Sequence, residues 1–270
     1  MGREVQLSFY AGPDFYNPGG KCDKLFMKQS WPWNPIGAGD VKGNHGNITT
    51  KDCTSTSAHI LATPLQWACE DVPCECEFEQ QITLGPAQTA AKVEATLHNH
   101  RSDKTAYPAK SQELPAVYSN GPYYRLITAS GGEIQELDAG FDTSKPFPWV
   151  PGAFSADENW AALVDKDGFG MGVVNFDTTN FIGGFSGEKG SGGPYDKPTG
   201  YIAPVSNVML PADTSYSFTF YLVLGNIDTI RSYAQQVRPN STKSRSDSTT
   251  VVELPLSRFE AAKCTTPQDN

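Results

Sequence analysis

Apolar and polar residues alternate with a period of two along most of this chain, which is typical of β-strands that bury one face. In the first such segment, Val5, Leu7 and Phe9 share one face. The most regular segment runs from Tyr216 to Leu224, with an apolar residue at every second position. The other predicted strands cover residues 78–84, 93–97, 123–128, 160–164, 169–174 and 251–254. This pattern predicts a mainly β protein.

Two pairs of these strands are separated by short turn sequences. A Gly-Pro turn follows residues 78–84 and leads to 93–97, and an Asp-Lys-Asp-Gly turn joins 160–164 to 169–174. Both pairs are therefore expected to be antiparallel. The last of these strands has glycine at alternate positions from 168 to 172, which predicts a flat surface that another chain or a ring could approach closely.

One segment, residues 226–238, has helical periodicity. Its apolar residues recur at spacings of three, four and three, Asn226 can cap its start and Pro239 ends it. Many strands, hairpin turns and one short helix favour an all-β fold, an antiparallel β-sandwich or a larger supersandwich. We expect residues 1–270 to form a single domain with long loops at 11–50 and 181–200. Because the chain enters a strand pattern at once, we expect it to lack some N-terminal residues of the native protein.

Charge narrows the range of partners. The 270 residues carry a formal net charge of -9, and no basic stripe of the kind that binds nucleic acid is evident, so no nucleic-acid partner is expected. The charge also counts against a polyanionic substrate, although a local basic patch could override it. No apolar run approaches the ~18 residues of a membrane-spanning helix, so no membrane span is expected. The oligomeric state is left open.

The cysteines indicate the cellular compartment in which the protein is found. The six cysteines are Cys22, Cys53, Cys69, Cys74, Cys76 and Cys264. This even number, together with glycosylation sequons at Asn47 and Asn240, favours a secreted, disulfide-bonded glycoprotein. The cysteines from 69 to 76 lack the usual spacing of a zinc site, so disulfides are expected there and no metal. No cofactor is predicted, and a calcium ion that stabilises a loop stays open.

The segment from 98 to 118 concentrates polar residues beyond a predicted strand, where sites on β scaffolds are often built. Glu113 can act as a general acid or base, and His100 or Tyr107 can move a proton. The planar guanidinium of Arg101 can bind a carboxylate or a pair of hydroxyls, and Gln112 can bind substrate beside Glu113. The alternative is that these groups only form local pairs and hold the end of a sheet.

Two further segments contribute candidates. Trp31 and Trp33 flank Pro32 and can form flat surfaces that stack on sugar rings, and Asn34, between Trp33 and Pro35, can bind hydroxyls. The alternative is that both indoles cap the core. Asp40 or Glu158 can supply a second carboxylate, and two carboxylates across a cleft are the minimum that glycoside hydrolysis requires. A solvated acidic turn is the alternative for Glu158.

Several of these segments resemble secreted β-sandwich proteins that act on polysaccharides. The chain is most similar to the supersandwich type found in galactose-mutarotase-like domains. The resemblance rests on Gly2 to Tyr10, on Trp33-Asn34-Pro35 with Gly39-Asp40, on Asn99, Arg101 and Asp103, on Gln112 to Ala116, and on Glu158 with Trp160. It implies a polysaccharide or oligosaccharide partner and no particular mechanism, because such scaffolds serve many functions.

Three functions remain open from the sequence. The first is an extracellular glycoside hydrolase that uses Glu113 together with Asp40 or Glu158. The second is a polysaccharide lyase, with Tyr107 or His100 as the base and Arg101 neutralising the substrate's acid group. The third is a non-catalytic carbohydrate-binding protein, in which the aromatic side chains dominate the affinity.

Overall fold

The computed structural model describes residues 2–6, 39–40, 42–66, 70–87, 89–145, 147–193 and 196–239. Within them the protein is all-β, with antiparallel sheets of six and nine strands, a two-stranded ribbon and one helix. The predicted strand at 251–254 and the sequon at Asn240 lie outside the described residues. So do Trp31, Trp33 and Asn34.

The strands are numbered in chain order. They are β1 (Gly2–Gln6), β2 (Asn47–Cys53), β3 (Ser57–Thr63), β4 (Cys76–Leu84), β5 (Ala90–Asn99), β6 (Tyr107–Glu113), β7 (Ala116–Asn120), β8 (Arg125–Ser130), β9 (Glu133–Leu137), β10 (Gly140–Phe141), β11 (Trp149–Val150), β12 (Gly152–Ser155), β13 (Trp160–Val164), β14 (Phe169–Val174), β15 (Asn180–Ser186), β16 (Thr199–Leu210) and β17 (Ser215–Asn226). Helix α1 (Ile227–Val237) follows directly.

The nine-stranded sheet contains most of the strands that the hydrophobic pattern predicts. Its order is β2-β3-β4-β5-β17-β14-β13-β8-β9. The two predicted antiparallel pairs are confirmed as β4–β5 and β13–β14. The long regular strand β17 lies in the middle, between β5 and β14.

The six-stranded sheet is built around β16, a strand that the hydrophobic pattern does not predict. Its order is β1-β7-β16-β15-β12, and β6 also pairs with β16, so β6 and β7 lie end to end along one edge of β16. The expected loop at 181–200 is therefore wrong at both ends, because β15 begins before it and β16 begins within it. Glycine, proline and asparagine within β16 hide its alternation.

The core lies between the two sheets. Phe181 and Ile202 of the smaller sheet pack with Leu126 and Val173 of the larger one, and all four are buried. Because successive strand residues point to opposite faces, Tyr201 lies on the other side of β16 from Ile202. We call that side, turned away from the nine-stranded sheet, the outer face of the six-stranded sheet.

Helix α1 covers the opposite surface of the molecule. Asn226 caps it by accepting a hydrogen bond from the Thr229 N–H at 2.8 Å, as predicted, and Ile230 and Ala234 are buried against the nine-stranded sheet. A Cβ atom at Gly172 would overlap the side chain of Ile230. The flat glycine surface expected to receive another chain or a ring therefore receives this protein's own helix. No helix in the described residues is long and apolar enough to cross a membrane.

Candidate functional site

Four aromatic side chains form a continuous cluster on the outer face. The rings of Trp149 and Tyr201 are stacked, with centroids 4.9 Å apart. Tyr118 lies 5.2 Å from Tyr201, and Phe141 meets Trp149 edge-on at 5.0 Å. Phe141 is 42 % exposed, whereas Tyr201 is buried at the base. We call these four residues the aromatic cluster.

Strand register and a ribbon bring the aromatic cluster together. Tyr118 on β7 is directly opposite Tyr201 on β16, so their rings share a face. Phe141 and Trp149 come from the β10–β11 ribbon, which lies over β15 at Gly184. An ideal Cβ at Gly184 would lie 2.8 Å from the backbone nitrogen of Val150. Glycine at this position therefore lets the ribbon approach closely enough for Trp149 to stack on Tyr201.

Glu113 lies on the same face. It is directly opposite Val205 on β16, and strand alternation puts Val205 on the same side as Tyr201. Four residues of strand separate these two positions, or ~14 Å at the usual rise. The Glu113 side chain is partly buried. The aromatic cluster and one of the predicted carboxylates thus occupy one surface.

Glu158 lies elsewhere. Its carboxylate is held by Arg231 of α1, with Nε donating to Oε2 at 2.8 Å and Nη2 donating to Oε1. The hydrogen bonds from Arg231 lower the pKa of Glu158 against the opposing effect of burial. Because α1 covers the surface opposite the outer face, the structure does not bring Glu113 and Glu158 together. The expected catalytic pairing of these two carboxylates is therefore corrected.

Asp40 anchors a loop. It accepts hydrogen bonds from the backbone N–H groups of Lys42, Asn44 and Asp71 at 2.8, 3.0 and 2.7 Å, and from the Asn44 side chain at 2.8 Å. Burial raises its pKa, but these bonds outweigh burial and lower the pKa to about 2. Such a carboxylate is a poor general acid at neutral pH, so the structure favours a structural role over the catalytic one predicted for it.

The hydrogen bonds of Asp40 predict acid sensitivity. Because the folded pKa is lowered, the stabilisation is fully present above the ordinary pKa of 3.8 and is lost as the pH falls through about 2. Asp40→Asn should therefore cost on the order of 2 kcal/mol at neutral pH, and the difference from the wild type should shrink in acid. Urea unfolding across this pH range measures both effects. A difference that does not change with pH would contradict the role given to Asp40.

Two of the three residues expected to perform lyase chemistry, Arg101 and Tyr107, are buried. Arg101 is 4 % exposed, and its Nε and Nη2 donate to the two oxygens of Asp103 at 3.0 and 2.6 Å. The hydrogen bond from Arg101 lowers the pKa of Asp103. The Arg101 guanidinium lies 4.7 Å from the ring centre of Tyr107, which is fully buried in the core. Tyr107 therefore has no access to a substrate, and the local pairing alternative is correct for Arg101 and Asp103.

Gln112 and His100 complete the set of predicted site residues. Gln112 is fully buried and opposite Ser206 of β16, on the core side, so it cannot bind substrate as predicted. The His100 side chain is 57 % exposed, and its Nε2 lies 3.6 Å from a carboxylate oxygen of Glu77. Its ring stacks on that of His98 with centroids 6.3 Å apart. Nothing in the described residues links His100 to the aromatic cluster.

The cysteines are consistent with the expected disulfides where they are described. Cys74 and Cys76 form one disulfide, and Cys53 is also disulfide-bonded. Cys22, Cys69 and Cys264 lie outside the described residues. In the described part of the chain, no group of three or more His, Cys, Asp or Glu side chains is arranged to hold a metal ion.

Comparison with known proteins gives similarity at the level of the fold. No family model and no curated protein matches this chain. Among solved structures, a galactose mutarotase related enzyme from Lactobacillus acidophilus is 12 % identical, with 73 % of this chain and 76 % of that chain covered and a TM-score of 0.39. A galactose mutarotase-like protein from Lactobacillus casei is 9 % identical, with 82 % and 83 % covered and a TM-score of 0.41.

Proposed function

We propose that this protein binds a neutral oligosaccharide or polysaccharide on the outer face of the six-stranded sheet. The observation that carries the proposal is the stack of Trp149 on Tyr201, with Tyr118 and Phe141 beside it. Flat aromatic rings offer a large apolar surface to the C–H faces of sugar rings at little entropic cost. The net charge of -9 favours a neutral sugar over a polyanion.

Glu113 supports an extended ligand. A carboxylate accepts hydrogen bonds from sugar hydroxyls, and this one lies ~14 Å along the strands from Tyr201. A single sugar ring does not span that distance, whereas an oligosaccharide does. A ligand stacked on the aromatic cluster can therefore also reach Glu113.

Binding has more support than the glycoside hydrolysis we expected from the sequence. Hydrolysis requires two carboxylates flanking one bond, and Glu158 is bound to α1 on the opposite surface. If the protein does hydrolyse a glycosidic bond, Glu113 stays our prediction for the general acid or base. For the lyase, the buried Tyr107 removes one of the two proposed bases.

We also propose that the protein is extracellular. The disulfide between Cys74 and Cys76 supports this, because disulfides persist in oxidising compartments. Asn47 of the first sequon is exposed on β2, an edge strand of the nine-stranded sheet, where an oligosaccharyltransferase could reach it in an unfolded or folded chain. Glycosylation at Asn47 is part of the proposal.

The experiment is titration calorimetry with a panel of neutral and acidic polysaccharides, together with assays for new reducing ends and for unsaturated uronates. We expect binding of a neutral glycan, and Trp149→Ala should weaken it at least tenfold, the order expected for a central aromatic anchor. Phe169→Ala is the control, because Phe169 is an exposed aromatic residue on the other sheet. Equal affinities for both variants and the wild type would refute the site, and reducing ends would instead indicate hydrolysis.

Glu113→Gln tests the carboxylate separately. We expect the variant to remain folded and to bind the same glycan about three- to tenfold more weakly, because one charged hydrogen-bond acceptor is lost. Circular dichroism and thermal melting measure the fold, and calorimetry measures the affinity. If the variant unfolds, Glu113 is structural and does not belong to the site.

A further inference from the structure

Asn120, at the end of β7, has a buried side-chain oxygen that no described group satisfies. The residue is 8 % exposed, and its Oδ1 has no hydrogen-bond partner in the part of the chain that the structure describes. A buried amide oxygen without a donor costs free energy, so native proteins rarely leave one unpaired without a functional reason. Gln66 is the other described residue with buried side-chain polar atoms that lack a partner.

The position of Asn120 connects it to the aromatic cluster. It lies two residues beyond Tyr118 on β7, and strand alternation puts both side chains on the outer face. It is directly opposite Thr199, which is two residues from Tyr201 on β16. Asn120 therefore continues the row of Tyr118, on the side of the aromatic cluster away from Glu113.

The turn after β7 does not use the Asn120 side chain. The backbone oxygen of Asn120 accepts the N–H of Tyr123 at 3.0 Å, and the hydroxyl of Ser119 donates to the Tyr123 carbonyl at 2.9 Å. The loop beyond β15 is held by the Gly190 N–H, which donates to the Gly121 carbonyl at 3.1 Å. These bonds come from the backbone or from other side chains, so none of them satisfies the side-chain oxygen of Asn120.

We propose that Asn120 is a polar subsite of the outer face and binds one hydroxyl of the bound glycan. This inference rests on the proposed carbohydrate-binding function. The side-chain oxygen accepts from a hydroxyl, and if the oxygen and nitrogen of the amide are exchanged, a hydroxyl accepts from the buried N–H instead. A hydroxyl suits both orientations, whereas a carboxylate or an ammonium group suits one.

The spacing predicts which ligands depend on Asn120. Thr199, opposite Asn120, and Val205, opposite Glu113, are six residues apart on β16, or ~20 Å. A glycan that contacts both ends must have several sugar units. Tyr201 lies only two strand residues from Thr199, or ~7 Å, so a disaccharide stacked on the aromatic cluster should depend on Asn120 and be less sensitive to a change at Glu113.

The experiment measures affinity and stability of Asn120→Ala in parallel, with β-linked gluco- and galacto-oligosaccharides from di- to hexasaccharide as probes. We expect an unchanged or higher melting temperature, about tenfold weaker binding of the longest bound probe, and a similar loss for the disaccharide, which still reaches Asn120 from the aromatic cluster. Asn99→Ala is the matched control. Its buried amide donates to the Pro211 carbonyl at 2.9 Å and accepts from the Arg101 N–H at 3.1 Å, so that variant should melt earlier and bind normally while folded.

The possible results distinguish a failure of the Asn120 subsite from a failure of the proposed glycan-binding function. If Trp149→Ala weakens binding and Asn120→Ala does not, the binding face stands and the subsite is wrong. If Asn120→Ala lowers the melting temperature and leaves the affinity unchanged, the amide is structural and the subsite is also wrong. If the wild type binds no probe and no glycan of the panel, the proposed function fails, and the subsite fails with it.

Discussion

Gly184→Ala is expected to weaken glycan binding at least tenfold while the protein remains folded. An ideal Cβ at this position would lie 2.8 Å from both the nitrogen and the oxygen of Val150 and 2.9 Å from the oxygen of Gly140. All three are backbone atoms, so rotation of a side chain cannot relieve the overlap. The ribbon is joined by only two residue pairs, so it should move away from β15 and carry Trp149 off Tyr201.

A matched variant within the ribbon gives the control for Gly184→Ala. At Gly140 the nearest atom to an ideal Cβ is the Cβ of Val150 at 3.7 Å, an ordinary contact, so Gly140→Ala should bind like the wild type. Titration calorimetry gives the affinities, and a change in tryptophan fluorescence, to which Trp149 contributes as one of five tryptophans, accompanies the displacement of Trp149. Wild-type affinity in Gly184→Ala would mean that the stacking of Trp149 on Tyr201 does not support binding.

Glu158→Gln is expected to destabilise the protein by ~1–2 kcal/mol without changing glycan affinity. The substitution removes the charge that Arg231 faces and weakens the attachment of α1 to the nine-stranded sheet. The pKa of Glu158 is lowered by its hydrogen bonds with Arg231, so its stabilisation is present above the ordinary value of 4.5 and is lost as the pH falls through the lower folded value. The difference between variant and wild type should therefore shrink in acid.

Asp167→Asn is the control for Glu158→Gln. Asp167 also pairs with a basic residue, Lys166, but both side chains are largely exposed, so its loss should not change the stability measurably. Urea unfolding at several pH values gives the comparison. Loss of activity or binding in a Glu158→Gln protein of wild-type stability would restore the catalytic role first predicted for Glu158.

The success of the strand predictions depended on burial. β5 and β17 were predicted because each has one face in the core and the other facing out, so their sequences alternate. Much of β16 is buried on both sides, since Ile202 faces the core and Tyr201 is buried at the base of the aromatic cluster. A strand buried on both faces loses its alternation, which is why the centre of the smaller sheet was missed.

The candidate site residues also differ in where the structure places them, in the core or on the outer face. The sequence singled out Arg101 and Asp103 as chemically rich, and the structure pairs them with each other beside Tyr107 in the core. Chemical type alone cannot distinguish a buried ion pair from a catalytic one. Glu113 was also selected from the sequence, and the register with Val205 places it on the outer face.

By itself, the sequence determined the all-β class, the two antiparallel pairs β4–β5 and β13–β14 and the position of α1, because hydrophobic periodicity, turns and caps are properties of neighbouring residues. Only the tertiary structure decided which distant residues share a surface. Tyr118 meets Tyr201 through strand register, and Trp149 reaches them because Gly184 has no side chain. These long-range contacts depend on how the sheets pair and pack, and that information is spread over the whole chain.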